Sequence, residues 1–221
     1  MLVHLPDAPF LVGEVSPVET IEGLLGAPVR VDNDVNWAAI AERRSAAAGS
    51  PDEFAYVFLG EGFGCAVVSD GAVVRGHRGL AGEIAHVLTT GPEGEAMTFT
   101  DVFARLALRQ PGSTAIDVAR LLDRVGDGSH PSATLGILAA AIAGVLASVI
   151  ALADPGEIVL GGTWGTDARI VDAVRRAMDA MPRHADVRRA SVTDSAPLVG
   201  ARLAAVEWLQ TAIVALATAK V

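Results

Sequence analysis

Asn33 and Asp34 are adjacent polar residues between a predicted strand and a predicted helix. At the end of a strand in an open α/β sheet, such side chains face the crevice where ligands bind. The Asp34 carboxylate could accept a proton from a hydroxyl, and the Asn33 amide offers a donor and an acceptor to a polyol. Asp34 could instead be a helix N-cap, worth about 1 kcal/mol, and the local sequence alone favours that interpretation.

Glu83 and His86 form a second pair that could do chemistry, and they are three residues apart. In a helix this spacing places both side chains on one face. A Glu/His pair suits sugar hydroxyls or a metal ion. An ordinary surface pair is the simpler interpretation of the local sequence.

Two groups of glycines could bring backbone amides close to a phosphate. Gly60, Gly62 and Gly64 follow an apolar run of strand length, and Gly161-Gly162 follow another. Glycine allows a close approach because it has no side chain. Tight turns after buried strands explain both groups equally well.

The elements that must position these residues follow from the hydrophobic pattern. The predicted strands cover 28–32, 54–59, 157–160 and 187–192. An Asp-Gly hairpin turn is predicted at 69–71. One predicted helix stops at Gly26, and the others cover 36–48, 99–109, 115–124, 133–153, 167–181 and 198–218. Residues 76–86 begin as a loop. This alternation predicts a layered α/β fold. The uncharged stretch 133–153 is long enough to span a bilayer, but its alanines and glycines favour a buried core helix.

Composition excludes several classes of protein. The chain has 221 residues, of which 51% are hydrophobic, so it can form a globular core. Its net charge of −9 argues against nucleic-acid binding by this chain itself. The single cysteine, Cys65, excludes an internal disulfide and a multi-cysteine zinc site. The N-terminus has no basic region and no long apolar run, which predicts no signal peptide and a cytoplasmic location.

Taken together in chain order, these polar pairs and glycine groups resemble the ROK family of repressors and sugar kinases. The matching stretches are PVRVDNDVNWAAIAE (28–42), the region 56–86 that ends in RGHRGLAGEIAH, EIVLGG (157–162) and VGARLA (199–204). The resemblance implies an actin-like ATPase (ribonuclease H-like) fold with two lobes around a sugar cleft.

The resemblance also assigns roles to individual residues. Asp34 matches the catalytic base, and Asn33, Glu83 and His86 match sugar-binding residues. The glycines match the second phosphate loop (Gly60, Gly62 and Gly64) and the nucleotide side of the cleft (Gly161 and Gly162).

Three departures from the family pattern shape the expected function. The N-terminal D-x-G-G-T phosphate loop is absent, so we expect an incomplete first lobe (1–35), a largely complete second lobe (36–197) and a C-terminal helix (198–221) that packs back on the first. Glu61 stands where the kinases have threonine, and a carboxylate about 4 Å from a phosphate costs roughly 4 kcal/mol at an effective dielectric of about 20. No cysteine follows His86, so we expect no zinc.

These departures favour the sugar-sensing effector domain of a ROK-type transcriptional regulator, whose DNA-binding segment lies outside this chain. That domain would bind a small sugar without catalysis and without a cofactor. The alternative is a hexose kinase that uses ATP and Mg²⁺, with Asp34 as its base. A third hypothesis is an interaction domain with a vestigial pocket. The strand at 28–32 would have an unpaired edge, which predicts a dimer, and no membrane contact is expected.

Overall fold

The computed structural model describes residues 17–45, 52–126 and 132–218, and this part of the chain forms seven helices and seven strands. The strands are β1 (Phe54–Leu59), β2 (Phe63–Ser69), β3 (Ala72–Val73), β4 (Leu88–Thr90), β5 (Ala96–Thr98), β6 (Glu157–Gly161) and β7 (Asp186–Arg189). The helices are α1 (Pro17–Leu25), α2 (Asp34–Ser45), α3 (Phe99–Arg105), α4 (Val118–Val125), α5 (Ala133–Ala153), α6 (Ala168–Asp179) and α7 (Ala196–Thr218).

The central sheet has five strands in the order β3-β2-β1-β6-β7. Strands β1, β6 and β7 are parallel, whereas β2 is antiparallel to β1 and β3 to β2. Parallel strands end at the same edge of a sheet. The glycines after β1 and β6 therefore lie at one edge, as ligand-binding loops do in open α/β sheets.

The larger core covers the face of the sheet that packs against α5 and α6. Eight residues of α5 are buried, so the prediction of a core helix over 133–153 is confirmed. By length and composition alone, α5 and α7 could each cross a membrane. In the most apolar window of each helix, 44% of α5 is buried but only 6% of α7. The apolar length of α5 is therefore explained by the core, whereas α7 leaves most of its surface exposed.

Helices α2 and α7 lie together on the other face of the sheet. The smaller core on this face joins Val35 and Ala38 of α2 to Phe54, Tyr56 and Val159 of the strands. The two helices meet at Gly200, where a Cβ atom would overlap the carbonyl oxygen of Trp37. Glycine is therefore required at this crossing.

Gly200→Ala is expected to destabilise the fold by about 1–3 kcal/mol, because the backbone of α2 must move to admit the methyl group. This expected loss is opposite to the effect of intrinsic propensity, since alanine is favoured over glycine in a helix by about 1 kcal/mol. Gly136→Ala in α5 is the matched control, because a Cβ atom there meets nothing within 4 Å. That control should be neutral or stabilising in urea unfolding. Equal effects of the two substitutions would contradict close packing at Gly200.

Most of the predicted elements are present, but residues 28–32 do not form a strand. They pair with no strand among the described residues, and Asp32 is held instead by Arg75. The prediction of a dimer through an unpaired strand edge therefore loses its structural basis.

Several boundaries also differ from the predicted ones. Helix α2 begins at Asp34 rather than at 36, and its predicted continuation to 48 lies outside the described residues. Strand β7 ends at Arg189 rather than at 192, because the amides of Ser191 and Val192 bond to the side chain of Glu42 instead of to a strand. Helix α3 ends at Arg105 rather than at 109, just before Ala107 turns to a φ of 52°.

Candidate functional site

Asp34 is the first residue of α2, and its carboxylate lies at the exposed N-terminus of that helix. The cap belongs to the preceding residue. The Asn33 side-chain oxygen accepts from the amide of Val35 at 2.8 Å, and the Asn33 carbonyl accepts from the amide of Trp37. Asp34 itself accepts only from the adjacent Val35 amide at 2.9 Å, among the bonds between described residues. The capping alternative thus falls on Asn33, and Asp34 is exposed.

Asp32 fixes the turn that precedes Asp34, and the sequence analysis missed it. Its carboxylate accepts from Arg75 at 2.6 and 2.8 Å and from the side-chain amide of Asn36 at 2.6 Å. The Asp32 side chain is only 11% exposed. The Asp-Asn-Asp spacing could have suggested a structured turn, but the partner Arg75 lies 43 residues away and leaves no local signal.

Glu83 is half-buried in a loop, so the shared helical face that the spacing of Glu83 and His86 would give in a helix does not arise. Burial raises the pKa of the Glu83 carboxyl, the nearby His86 lowers it, and the negative charge of Asp34 raises it. These effects show that the three side chains share one electrostatic neighbourhood, although Asp34 and Glu83 belong to different elements. The structure therefore brings together the acidic groups that the sequence singled out separately.

Backbone bonds hold the Glu83 loop on both sides. The carbonyl of Gly82 accepts from the amide of Cys65 in β2, and Gly82 lies too close to that strand for any side chain. The carbonyl of Ala85 accepts from Thr100 at the start of α3. The loop is thus fixed between the sheet and a helix, which presents Glu83 and His86 in a set position.

The turn at Gly60, Glu61 and Gly62 connects β1 to β2. The Gly60 amide donates to the carbonyl of Gly62 at 3.1 Å, and the Gly60 carbonyl accepts from the buried indole N–H of Trp164 at 2.7 Å. A Cβ atom at Gly64 would lie 2.6 Å from the side chain of Val35. The absence of that atom lets the start of α2 pack against β2, so Asp34 lies beside the glycine turn.

Gly161 and Gly162 end β6 next to the end of β1. A Cβ atom at Gly161 would overlap the hydroxyl of Tyr56, and Gly162 has a φ of 91° and lies against the backbone of Leu59. Both glycines therefore have packing reasons to be glycine, as the turn interpretation predicts. Because β1 and β6 are neighbours, the glycine-rich loops at their ends nevertheless lie side by side.

The residues after His86 do not offer the zinc donors of the family pattern. They form a hairpin of β4 and β5, in which the buried hydroxyl of Thr89 donates to the carbonyl of Ala141 in α5 at 2.7 Å. No three His, Cys, Asp or Glu side chains cluster to hold a metal in the ranges that the structure covers. Cys65 is buried, and burial raises the pKa of its thiol to about 12. A structural zinc does not fit this donor set.

Comparison with known proteins gives a family match over most of the chain. The model of the ROK family matches residues 10–207. The bifunctional enzyme NanE/NanK of Brucella suis is 32% identical over 173 residues, which are 76% of this chain and 32% of that protein. The N-acetylmannosamine kinase of Salmonella typhimurium is 28% identical over 202 residues, which are 85% of this chain and 68% of that kinase. The chain thus spans about a third of the bifunctional relatives.

Solved structures show the same fold. The ROK hexokinase of Thermus thermophilus has a TM-score of 0.62 and 30% identity, covering 83% of this chain and 67% of that one. A ROK family transcriptional regulator, a homologue of the E. coli MLC protein, has a TM-score of 0.57 and 18% identity, covering 83% of this chain and 54% of that one. At that identity the regulator supports the fold alone.

Proposed function

The chain belongs to the ROK family and has its actin-like ATPase (ribonuclease H-like) fold, and from this premise we propose that it carries the sugar and phosphate sites of a sugar kinase. The reaction is phosphoryl transfer from ATP to a hydroxyl of a hexose or N-acetylhexosamine. The observation that carries the proposal is the meeting of Asp34, Glu83 and His86 beside the glycine turn after β1.

The departures from the family pattern favour the effector domain of a regulator, but the named relatives favour the kinase. The Salmonella typhimurium relative is named an N-acetylmannosamine kinase, and the Thermus thermophilus hexokinase is 30% identical. The regulator is 18% identical and adds nothing beyond the fold. N-acetylmannosamine is therefore the first sugar to test, and glucose the second.

In the proposed reaction, Asp34 accepts the proton of the attacking sugar hydroxyl. The hydroxyl oxygen forms a bond to the γ-phosphorus of ATP while the bond from that phosphorus to the β-phosphate oxygen breaks, which releases ADP. The exposed carboxylate at the start of α2 suits this role, because hydrogen bonds within the fold do not occupy it fully.

The other residues of the site hold the sugar. The side-chain oxygen of Asn33 is used in the helix cap, so its NH₂ group donates to a sugar oxygen. Glu83 and His86 are fixed by their loop, and they bind neighbouring hydroxyls. Two or more such contacts orient the reactive hydroxyl toward Asp34, which is how positioning lowers a barrier.

Glu61 is the residue that fits a phosphate loop least well. It is exposed in the turn, where its carboxylate repels phosphate oxygens. Mg²⁺ binds carboxylate and phosphate oxygens together, so Glu61 would be one of the residues that hold it. When bound, Mg²⁺ offsets the charge that builds up on the phosphates during transfer.

The test is an assay of the protein with ATP, Mg²⁺ and each of N-acetylmannosamine, glucose and N-acetylglucosamine. We expect ADP and a sugar phosphate in equal amounts, detected by a coupled assay and by mass spectrometry. Saturable sugar binding in calorimetry without ADP formation would contradict the kinase and favour the effector domain. Absence of both sugar binding and ADP formation would contradict both functions.

A further inference from the structure

The carboxylate of Asp32 joins three segments next to the proposed base. Its Oδ1 atom accepts from the backbone amide of Asn33 at 2.9 Å and from the side-chain amide of Asn36 in α2 at 2.6 Å. Its Oδ2 atom accepts from Arg75, from Nη2 at 2.6 Å and from Nε at 2.8 Å. A carboxylate has about four acceptor positions, so these bonds saturate it. The turn before Asp34 is therefore fixed to α2 on one side and to Arg75 on the other.

Arg75 is also tied to the sheet and to the loop that carries Glu83. Its Nη1 atom donates to the carbonyl of Val73 in β3 at 3.2 Å. Its backbone carbonyl accepts from the amide of Ala81 at 3.3 Å, which closes the segment 76–80 just before Glu83. One residue thus bonds through its side chain to the turn before α2 and through its backbone to the loop of the sugar ligands.

The separation of these two segments matters for the proposed reaction. Asp34 is the proposed base on one segment, and Glu83 and His86 are the proposed sugar ligands on the other. The position of the base relative to these ligands decides whether a hydroxyl of the bound sugar reaches the Asp34 carboxylate. A displacement of about 1 Å in such a geometry can lower a rate by about 10²-fold.

We propose that Arg75 is a positioning residue, which holds the turn that carries Asp34 in register with the loop that carries Glu83 and His86. Its effect on catalysis rests on the proposed kinase function, whereas the register itself does not. All three guanidinium nitrogens are engaged in the bonds described above, so Arg75 acts through Asp32 rather than on the sugar.

The position of Arg75 in the fold favours a local effect of its removal. Its side chain is 50% exposed and belongs to neither hydrophobic core. Its loss should therefore loosen the two segments without unfolding the sheet beneath them.

Arg75→Gln is expected to lower the kcat of sugar phosphorylation by about 10–100-fold, because the base is no longer held at the bound sugar. The KM for the sugar should change much less, since Glu83 and His86 remain in their loop to bind it. Arg75→Lys keeps the charge but loses the planar fork, so it should restore part of kcat. Asp32→Asn combined with Arg75→Gln should lose little more than either substitution alone, because both break the same bridge.

Arg175→Gln is the matched control for Arg75→Gln. The Arg175 side chain is 46% exposed, pairs with Asp172 at 3.2 Å and donates to the carbonyl of Val187 at 2.7 Å. It lies on α6, which packs on the face of the sheet opposite α2. The control should leave kcat unchanged. An unchanged kcat in Arg75→Gln, equal losses in Arg75→Gln and Arg175→Gln, or additive losses with Asp32→Asn would overturn the proposal.

A titration that needs no reaction separates this proposal from the kinase proposal. In the unchanged chain, Asp34→Asn should lower the pKa of Glu83, measured by NMR of the carboxyl carbons, because it removes a charge that raises this pKa. In the Arg75→Gln background the same substitution should lower that pKa by less, since the two carboxylates are no longer held together. Equal changes in both backgrounds would overturn the register. If the unchanged chain forms no sugar phosphate, the kinase proposal fails and this titration alone decides the role of Arg75.

Discussion

Asp34→Asn is expected to lower the kcat of ATP-dependent sugar phosphorylation by about 10²–10⁴-fold, the usual contribution of a general base. Asparagine keeps the size and much of the polarity of the side chain but cannot take the proton of the attacking hydroxyl. The start of α2 should not change, since the side chain of Asn33 provides the cap. We therefore expect the KM for the sugar to change much less than kcat.

A second readout shows whether Asp34 acts where the structure places it. The negative charge of Asp34 raises the pKa of Glu83, because a second ionisation beside it is disfavoured. Removing that charge should lower the pKa of Glu83, measured by NMR titration of the carboxyl carbons. Asp179→Asn, which removes an exposed acid at the end of α6, should change neither kcat nor this pKa. An unchanged kcat in Asp34→Asn would exclude Asp34 as the base.

Local patterns in the sequence carry enough information to predict most elements of this fold. The apolar run of β1 and the Asp-Gly turn after β2 predict a hairpin, and Asp70 and Gly71 adopt positive φ angles of 51° and 68° there. Helix α5 is uncharged over 21 residues because much of it is buried. Such features depend on neighbours within a few residues, and these neighbours are visible in the sequence.

Contacts between distant residues could not be predicted in this way. Asp34 and Glu83 belong to different elements, and the packing of α2 against β2 at Gly64 is not visible in the sequence around either residue. The turn before Asp34 depends on Arg75, and the segment 28–32 forms no strand despite its β pattern. A β pattern predicts a strand only where another strand is available to pair with it.

Glu42 is the clearest residue that the sequence conceals. A charged residue on a helix usually faces water, yet Glu42 is fully buried in α2. Its carboxylate accepts from Arg188, 146 residues away, and from the amides of Ser191 and Val192 at 2.8 and 3.1 Å. Arg188 is also held by both carboxylate oxygens of Glu157 in β6, at 2.7 and 2.9 Å. The network joins the helix that carries Asp34 to strands β6 and β7.

Glu42→Gln is expected to destabilise the fold by about 3–5 kcal/mol, because it removes one partner of a buried ion pair. It also places an NH₂ donor against a guanidinium and two amide N–H groups, all of which are donors themselves. Domains of this kind are stable by only about 5–15 kcal/mol, so urea unfolding should show a large fall in the midpoint with little change in slope.

Glu93→Gln is the matched control for this substitution. Glu93 also pairs with an arginine, Arg105 at 3.6 Å, but its side chain is 77% exposed. Water solvates Glu93 before and after the change, so its loss should alter stability by less than about 0.5 kcal/mol. Similar effects in the two variants would mean that Glu42 contributes only surface charge. A large effect confined to Glu42→Gln would mean that the buried network sets the position of α2, and with it the position of Asp34 relative to the edge of the sheet.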